Sequence, residues 1–370
     1  MHARRWLLLH LASLPALASV ARAEAQDDDA IRRGRTLVFP RDHGAHLGAR
    51  TEWWYATAWL GSDPRQPTHG VQITFFRSRT GFGAGNSSRF AARQLLFAHA
   101  AVLDLGSGKH LHDQRLVRWS EAAGALPGHA AVDSGQIKLQ DWQLRDEGSH
   151  WSARASSSSS TGGFSFDLRL QRSQPLLLQG DAGFSRKGPE EANASHYYSE
   201  AQLATSGRIS VEGRNAQVTG GRAWLDHEWS NQLMHPQAVG WDWIGINLFD
   251  GSALTAFRLR RRDGSSLWAG GSFRGAGGQT QVFDAQAVRW TPGRAWRSPA
   301  SGANYPVQWQ LDCPAGRFAV RALADAQELD SRAGTGTIYW EGLSELLDQH
   351  GLRAGLGYLE MTGYAAPIKL

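Results

Sequence analysis

The sequence contains a single cysteine, Cys313, only three methionines and, beyond its first residues, no long apolar run. One cysteine cannot form an internal disulfide, so the fold must be held together by its buried core. A serine nucleophile is poorly supported, because no Gly-x-Ser-x-Gly turn is present. Long amphipathic helices are missing too, and the helix candidates near 30–35, 185–192 and 343–349 are short and weak. These absences argue against a helical fold.

The first residues have the pattern of a secretory signal. Arg4 and Arg5 precede an apolar run, Trp6 to Val20, which is too short to span a bilayer comfortably. Ala21-Arg22-Ala23 then fits the small-x-small cleavage rule, so removal of Met1–Ala23 is predicted. A membrane anchor is the alternative. The pattern predicts secretion across the inner membrane, by the general or the twin-arginine route, and a periplasmic location.

Positive charge is too dispersed for a nucleic-acid-binding protein. The chain has 39 Lys and Arg residues against 34 Asp and Glu. Loss of Arg4, Arg5 and Arg22 with the signal leaves 36 basic residues and a net charge of +2. A nucleic-acid-binding surface requires a stripe of positive charge on a recognisable motif. We find no such stripe and expect no nucleic acid partner.

The rest of the composition indicates β-structure. Apolar and polar residues alternate in short runs such as 71–76, 164–170 and 318–323. Alternation with a period of two is typical of strands that are buried on one face. Turn dipeptides such as Asp250-Gly251 and Asp263-Gly264 separate the runs. The prediction is an all-β fold.

The chain also contains an internal repeat. Phe97–Trp119 and Trp268–Trp290 align without a gap and end in the same Val-Arg-Trp triplet. Downstream, Trp142-Gln143-Leu144 recurs as Trp309-Gln310-Leu311. An offset near 170 residues is too long for a solenoid unit. It favours two copies of one β-domain, which would place Trp119 opposite Trp290 and Trp142 opposite Trp309 on superposition.

Two short segments combine acid, histidine and tryptophan side chains. The first runs from Phe39 to His46 and continues to Glu52-Trp53-Trp54-Tyr55, and the second runs from Ala223 to Trp229. Each contains an Asp-His pair. Large aromatic side chains around titratable groups shift their pKa values and can hold an apolar ligand beside a proton donor.

These segments, with four others, resemble the AttH-like family of secreted lipocalin-like proteins, which is related to the carotenoid 1,2-hydratases. The resemblance covers nearly the whole chain after the signal. It implies two lipocalin-like antiparallel β-barrel domains, here residues 36–212 and 218–368, in agreement with the repeat. The motifs that carry it are Phe39-Pro40-x-Asp42-His43-Gly44-x-His46, Glu52-Trp53-Trp54-Tyr55, His196-Tyr197-Tyr198-Ser199, Trp224-Leu225-Asp226-His227-Glu228-Trp229, Gly240-Trp241-Asp242-Trp243, Tyr339-Trp340-Glu341-Gly342 and Gly357-Tyr358-Leu359-Glu360-Met361-Thr362-Gly363-Tyr364.

Strand alternation restricts which of these side chains can meet, because neighbouring residues face opposite sides. Asp226 lies on the same side as Glu228, whereas His227 lies with Trp229. Asp226 and His227 therefore cannot both point into one cavity unless a bulge intervenes. Asp242 shares an apolar face, where burial would raise its pKa and make it a proton donor.

The predicted catalytic residues are Asp226 or Asp242 as the acid and His227 as the base or orienting group. A second set is predicted to bind the ligand, or to combine with the first set in one composite site. Structural roles are the alternative for every residue of both sets, and zinc held by His43, His46 and His227 with Glu52 or Glu228 is a weaker alternative. No cofactor and no metal are predicted. The ligand-binding set comprises Asp42, His43, His46, Glu52, Trp53, Trp54, Tyr197, Tyr198, Glu228, Trp229, Trp241, Trp243, Trp340 and Glu341.

Two functions are consistent with these residues. In the first, a secreted protein binds an apolar isoprenoid, polyene or lipid-like molecule and hydrates or isomerises a C=C bond, with Trp and Tyr faces stabilising the cation. In the second, it is a non-catalytic lipid carrier or an accessory factor of a membrane export system. The stretch Leu254–Arg258 offers no further acid, which favours a lipocalin-like protein of unsettled activity over a committed hydratase.

Overall fold

The computed structural model describes residues 29–81, 92–119, 128–157 and 163–368. The predicted signal peptide, Met1–Ala23, lies outside these residues. Within them the chain forms 26 β-strands and one short 3-10 helix, Arg41–His43. None of the described segments contains a helix long and apolar enough to cross a membrane. The expectation of an all-β fold is confirmed.

Fourteen strands form one sheet, called sheet A. They are β1 (Thr51–Leu60), β2 (His69–Arg79), β3 (Gln94–Asp104), β4 (Lys109–Trp119), β5 (Gly128–Ala130), β6 (Gln136–Leu139), β7 (Trp142–Asp146), β8 (His150–Ser156), β9 (Phe164–Gln171), β10 (Leu177–Leu178), β11 (Phe184–Arg186), β12 (Ala194–Val211), β13 (Arg214–Val218) and β14 (Gly221–Ser230).

Ten strands form sheet B, and two pair only with each other. Sheet B comprises β15 (Gly240–Leu248), β16 (Ala253–Arg260), β17 (Ser266–Arg274), β18 (Thr280–Phe283), β19 (Arg289–Pro292), β22 (Gln308–Cys313), β23 (Gly316–Ala322), β24 (Glu328–Ser331), β25 (Thr337–Leu347) and β26 (Arg353–Met361); the separate pair is β20 (Ala295–Arg297) and β21 (Asn304–Pro306). The helix candidate near 343–349 is therefore wrong over most of its length, because β25 pairs with β26 through Leu347.

Sheet A curls into a nearly closed barrel. Its main path runs β4-β3-β2-β1-β14-β12-β9-β8-β7-β6-β5. The end strands approach so closely that a Cβ on Gly128 in β5 would lie 2.3 Å from Cγ2 of Val117 in β4. Large aromatic residues such as Trp54, Trp142 and Trp229 fill the interior. Alternation along each strand places them on the inner face.

Sheet B repeats the strand order of sheet A. Its path runs β18-β17-β16-β15-β26-β25-β23-β22-β19. In both sheets the first four strands form a meander, and the last strand then pairs with the first. Trp290, Trp309 and Trp340 belong to the core of sheet B. This shared order agrees with an internal duplication.

The two tryptophan pairs predicted from the repeat are wrong in detail. Trp119 ends β4, which follows β3, whereas β18 ends at Phe283 and the chain then crosses to pair with β22 as β19. Trp290 therefore lies at the opposite end of its sheet from the position of Trp119. Trp309 lies in β22, which is two strands from β25 in sheet B. The strand in the same position of sheet A is β8, two strands from β12, so Trp309 corresponds to Trp151 and not to Trp142.

Sheet A also extends beyond the predicted domain limit at 212–218. β14 pairs with β1 over Thr51–Leu60 and with β12 on its other side. The strand that opens the predicted second domain is thus central to the first sheet. It fills the gap between β1 and β12, whose polar backbone groups would otherwise lack partners.

The two sheets pack against each other through outward-facing aromatic side chains. Tyr55, Trp224, Trp243 and Tyr358 belong to one cluster that joins the sheets. Close approach requires glycine at one point, since a Cβ on Gly70 would lie 2.6 Å from the Tyr358 hydroxyl oxygen. Packing of the sheets therefore fixes the geometry of whatever lies between them.

Gly70→Ala should destabilise the protein by about 1–3 kcal/mol, because the added methyl group overpacks the junction of the sheets. Urea unfolding measures the difference. Gly81→Ala is the matched control, because a Cβ at exposed Gly81 meets no atom within 4 Å. Equal stability of the two variants would show that the sheets tolerate a wider separation.

Candidate functional site

The pleat of β1 and β14 divides the predicted site residues between two environments. Tyr55 and Asp226 are paired across these strands, as are Trp54 and His227. Trp54 belongs to the barrel core, whereas Tyr55 lies in the cluster between the sheets. Asp226 and His227 therefore serve different sites, as alternation predicted. The predicted composite site is therefore correct only in part, because Asp42 and Glu52 contact His227 inside the barrel whereas Asp226 lies on the other face of β14.

Inside the barrel, the Glu52 carboxylate is the centre of a polar network. It accepts hydrogen bonds from Nδ1 of His46 (2.7 Å), Nε2 of His227 (2.9 Å) and Nε of Arg77 (2.7 Å). All four side chains are buried. Burial opposes ionisation of Glu52, but Arg77 and the two histidines hold its pKa well below its usual range.

Asp42 extends this network to the entry of the barrel. Its carboxylate accepts hydrogen bonds from Arg35 (3.1 Å), Arg41 (2.8 Å), the backbone N–H of Val38 (2.7 Å) and Nε2 of His46 (3.1 Å). Burial opposes its charge, but these donors keep the pKa of Asp42 below its usual range. Burial likewise opposes the charge on His46, yet its two carboxylate partners raise the His46 pKa. His46 is thus a buried imidazolium.

A second chain of hydrogen bonds leads from His227 through Tyr198 to His43 in the 3-10 helix. The Tyr198 hydroxyl lies 2.6 Å from Nδ1 of His43 and 3.2 Å from Nδ1 of His227. Burial lowers the His43 pKa to about 4, in spite of nearby Glu200 and Asp146. A neutral His43 can donate to Tyr198, which can donate in turn to His227.

The same side chains are the candidate metal ligands. One ring nitrogen each of His46 and His227 and a carboxylate oxygen of Glu52 lie within 4.8 Å of one another, a spacing that zinc could bridge. Each imidazole also makes a normal hydrogen bond to Glu52. A proton on each therefore accounts for the geometry, and the network ties the segment around Asp42 to β1 and β14.

Asp242 lies on the face of β15 that points into sheet B. Its carboxylate accepts hydrogen bonds from Nε of Arg258 (2.7 Å) and the Tyr364 hydroxyl (2.9 Å), and it forms an ion pair with Arg260. Asp242 therefore does not face apolar groups alone, as predicted, because the guanidinium groups of Arg258 and Arg260 lie against its carboxylate. Asp242 neutralises charge in the core of sheet B and is separate from Asp226.

A cavity of about 150 Å³ opens between the two sheets. Sheet A supplies outward-facing residues of β1, β2, β3, β12 and β14, and sheet B supplies residues of β15, β16, β25 and β26. Aromatic side chains dominate the walls, among them Trp53, Tyr55, Tyr197, Trp241 and Trp243. The cavity suits an apolar ligand with an unsaturated or cationic centre.

Carboxyl groups enter this apolar space from both sheets. Burial raises the pKa of Asp226 to about 7, although hydrogen bonds from Ser199 (2.5 Å), Tyr197 (2.8 Å) and Trp224 (2.6 Å) favour its charged form. Asp226 therefore holds a proton for much of the time near neutral pH. An acid with a pKa near the working pH is suited to proton transfer.

Two further acids come from sheet B. Glu341 and Glu360 are directly paired across β25 and β26. Burial and the neighbouring Glu360 raise the pKa of Glu341 well above its usual range. Burial raises the pKa of Glu360 to about 7, and a hydrogen bond from Trp241 opposes this rise only in part. The Glu360 side chain is half-buried.

About half of the predicted site residues line the cavity. The predicted residues that line it are Glu52, whose carboxylate bonds to side chains inside the barrel, and Trp53, Tyr197, Asp226, Glu228, Trp241, Trp243 and Glu341. The predicted residues that belong to the cores of the two sheets are Asp42, His43, His46, Trp54, Tyr198, His227, Trp229, Asp242 and Trp340.

Tyr55, Tyr339 and Glu360 are among the lining residues that sequence reasoning omitted from the site. Two of them stand two positions from a predicted lining residue on the same strand, since Tyr55 follows Trp53 and Tyr339 precedes Glu341. Glu360 stands two positions after the aromatic Tyr358 on β26. The period-two pattern of each motif was therefore the signal that could have identified them.

Comparison with known proteins gives a family and a fold. The AttH-like family matches residues 30–364. A protein provisionally named AttH from Nitrosomonas europaea is 41% identical, has a solved structure with a TM-score of 0.81, and aligns with 90% of this chain and 99% of its own. Kievitone hydratase from Nectria haematococca aligns with 91% of this chain and 95% of its own, at 15% identity and a TM-score of 0.65. This second likeness shows the lipocalin-like fold alone. No curated protein matches the sequence.

Glu52→Gln should lower the free energy of unfolding by about 3–5 kcal/mol, because it leaves buried Arg77 without its carboxylate partner and His46 with Asp42 alone. Urea unfolding at pH 7 measures the loss. Glu191→Gln, which removes one partner of the exposed Arg33–Glu191 ion pair, is the control and should change stability little. Similar curves for both variants would contradict the network described for Glu52.

Asp226→Asn should stabilise the protein relative to the wild type as the pH rises. The folded-state pKa of Asp226, about 7, exceeds the unfolded value near 4. The wild type therefore loses stability between these values, by at most about 4 kcal/mol at 1.36 kcal/mol per unit. The difference in unfolding free energy between the proteins, measured at pH 4 and pH 8, should grow in favour of the variant. Exposed Asp133→Asn should show no such trend, and a constant difference for Asp226→Asn would refute the shift.

Proposed function

This chain belongs to the AttH-like family, and on that premise we propose that it binds an apolar, unsaturated molecule between its two sheets and protonates a C=C bond. The outcome is hydration or isomerisation of that bond. The observation that carries the proposal is the position of Asp226, a carboxyl group with a pKa of about 7, in a cavity walled by aromatic rings.

The size of the cavity limits the ligand. A cavity of about 150 Å³ is of the size that accepts a molecule such as benzene. The proposed ligand is therefore a small isoprenoid, or a longer polyene or lipid that places one end between the sheets.

The residues of sheet A divide the proposed reaction between them. The Asp226 carboxyl group donates its proton to one alkene carbon. The carbocation that forms at the other carbon faces the rings of Trp53, Tyr55 and Trp243, whose electron-rich faces attract positive charge. Ser199 and Trp224 then stabilise the Asp226 carboxylate through the hydrogen bonds already present. General acid catalysis of this kind contributes roughly 10²–10⁴-fold.

His227 has a different part in this proposal from the one its sequence suggested. It lies inside the barrel and bonds to Glu52, so it holds β14 and β1 in place rather than exchanging protons with the ligand. Kievitone hydratase shares the fold of this chain, and that likeness is compatible with the proposal but says nothing about the residues that react. Export to the periplasm is proposed from the signal pattern at residues 1–23 alone.

A non-catalytic carrier is the second candidate, and one observation favours it. The apolar walls would bind a lipid-like molecule without any proton transfer, and Asp226 already has three hydrogen-bond donors from the protein. A carrier or an accessory factor of an export system needs only reversible binding. Proton transfer to the ligand is what separates the two functions.

Incubation with geraniol, a ten-carbon isoprenoid alcohol, tests the proposal. Binding is followed by quenching of tryptophan fluorescence, because Trp53, Trp241 and Trp243 line the cavity. Turnover is followed by mass spectrometry in D₂O, for deuterium on carbon, and in H₂¹⁸O, for added oxygen. The wild type should incorporate label, and Asp226→Asn should bind geraniol normally while losing at least 100-fold in rate.

Glu191→Gln is the control for this experiment and should react as the wild type does. Melting temperatures are recorded for all three proteins, so that a folding defect is not taken for a loss of catalysis. Binding without label in the wild type, for geraniol and for the longer polyene lycopene, would support the carrier. Equal labelling by Asp226→Asn would remove Asp226 from the reaction.

A further inference from the structure

We infer that Glu341 and Glu360, with the Tyr55 hydroxyl, form an oxygen-binding site in the cavity that holds the water molecule for hydration and accepts its proton. This inference rests on the proposed function and adds the base that the function requires. Asp226 belongs to sheet A, whereas Glu341 and Glu360 belong to sheet B. The acid and the base thus enter the cavity from separate sheets.

The first support is an unfilled hydrogen-bonding position. The Tyr55 hydroxyl and Oε1 of Glu341 are buried, and neither has a well-aligned hydrogen-bond partner. Both residues line the cavity, and the Tyr55 hydroxyl lies close enough to the Glu341 carboxyl group for a hydrogen bond of poor geometry. Buried polar groups without a partner usually mark the position of a water molecule or a ligand atom. A water molecule beside them could bond to Oε1 of Glu341 and to the Tyr55 oxygen.

The second support is the pairing of the two acids. Glu341 and Glu360 face each other across β25 and β26, and alternation places both on the side of the cavity. Two adjacent carboxyl groups in an apolar space do not both ionise, so the pair keeps one proton and has one place free. The pKa directions of both groups agree with this. The pair can therefore accept one proton.

The third support is the connection to the acid. Tyr55 is the direct cross-strand partner of Asp226 on β1 and β14. Glu360 in turn is paired with Trp243 on β15, and Trp243 donates to the Tyr197 hydroxyl (3.2 Å), which donates to Asp226. The oxygen-binding site therefore adjoins the position where Asp226 would protonate an alkene, with aromatic rings between them.

The resulting step balances. The O–H bond of Asp226 breaks and a C–H bond forms on the alkene, which leaves a carbocation. The oxygen of the bound water forms a C–O bond to that carbon. A proton of the water passes to the Glu341–Glu360 pair, which becomes fully protonated, while Asp226 is a carboxylate. The carboxyl pair then releases one proton to solvent, and Asp226 takes up one proton from solvent. Both acids return to their starting state, and one water molecule has been consumed.

Incorporation of deuterium and of ¹⁸O, measured separately, tests the inference. Glu341→Gln and Glu360→Gln are incubated with geraniol in D₂O and in H₂¹⁸O. Asp226 remains in both variants, so deuterium should still enter carbon within about tenfold of the wild-type rate. Hydration, read as ¹⁸O in the product, should fall at least 100-fold. Tyr55→Phe should reduce hydration with an unchanged KM, and Glu191→Gln should behave as the wild type.

Citronellol distinguishes the two sources of the oxygen at this site, because it lacks the allylic alkene of geraniol and keeps its hydroxyl group. If the site holds the ligand's own hydroxyl instead of water, Tyr55→Phe should weaken binding of both alcohols, and this result overturns the role given to water. Unchanged binding supports it. A crystal structure of the wild type should contain an ordered water molecule bonded to the Tyr55 hydroxyl and to Oε1 of Glu341; its absence overturns the inference.

Failure of the inference differs from failure of the proposed function. Full hydration by both Gln variants, with Asp226→Asn inactive, overturns only the role of the carboxyl pair. Absence of both labels in the wild type overturns the proposed function and the inference together. Melting temperatures identify a variant that has not folded, and Tyr55→Phe, which leaves every charge in place, then carries the test.

Discussion

The antiparallel pairing of β14 with β1 and β12 is the constraint on which the rest of the structure depends. This strand is buried on both faces, and each face meets a different chemistry. Its inner side chains, His227 and Trp229, complete the polar network of the barrel. Its outer side chains, Asp226 and Glu228, line the cavity. A shift of one residue in this register would exchange the two sets and place both in the wrong surroundings.

The two sets of acids differ in what compensates their charge. Inside the barrel, Glu52 and Asp42 each contact guanidinium groups and the His46 imidazolium, so their pKa values fall. In the cavity, Asp226 has only neutral donors, and Glu341 faces another carboxyl group, so their pKa values rise. One group of carboxylates therefore stabilises the fold, and the other holds protons. Equal burial produces opposite behaviour because the neighbours differ.

Much of the fold followed from local patterns in the sequence. Alternation predicted the strands and correctly separated Asp226 from His227, and the repeat predicted two sheets of related order. The errors came from long-range pairing. Nothing near residue 220 indicates that β14 returns to β1, and the compensation of Asp242 by Arg258 and Arg260 depends on strands that meet only in the folded chain. Glu360 was missed because its meaning depends on Glu341 across the sheet.

The walls of the cavity belong to two sheets that, over the residues the structure describes, are joined through side chains and not through strand pairing. Asp226 and the Glu341–Glu360 pair keep their protons only while this junction excludes bulk solvent. Any separation of the sheets would hydrate the three acids, and they would release protons at neutral pH. Opening of the molecule is thus linked to proton release: alkaline conditions favour the open form, and a ligand that seals the junction draws protons from solvent.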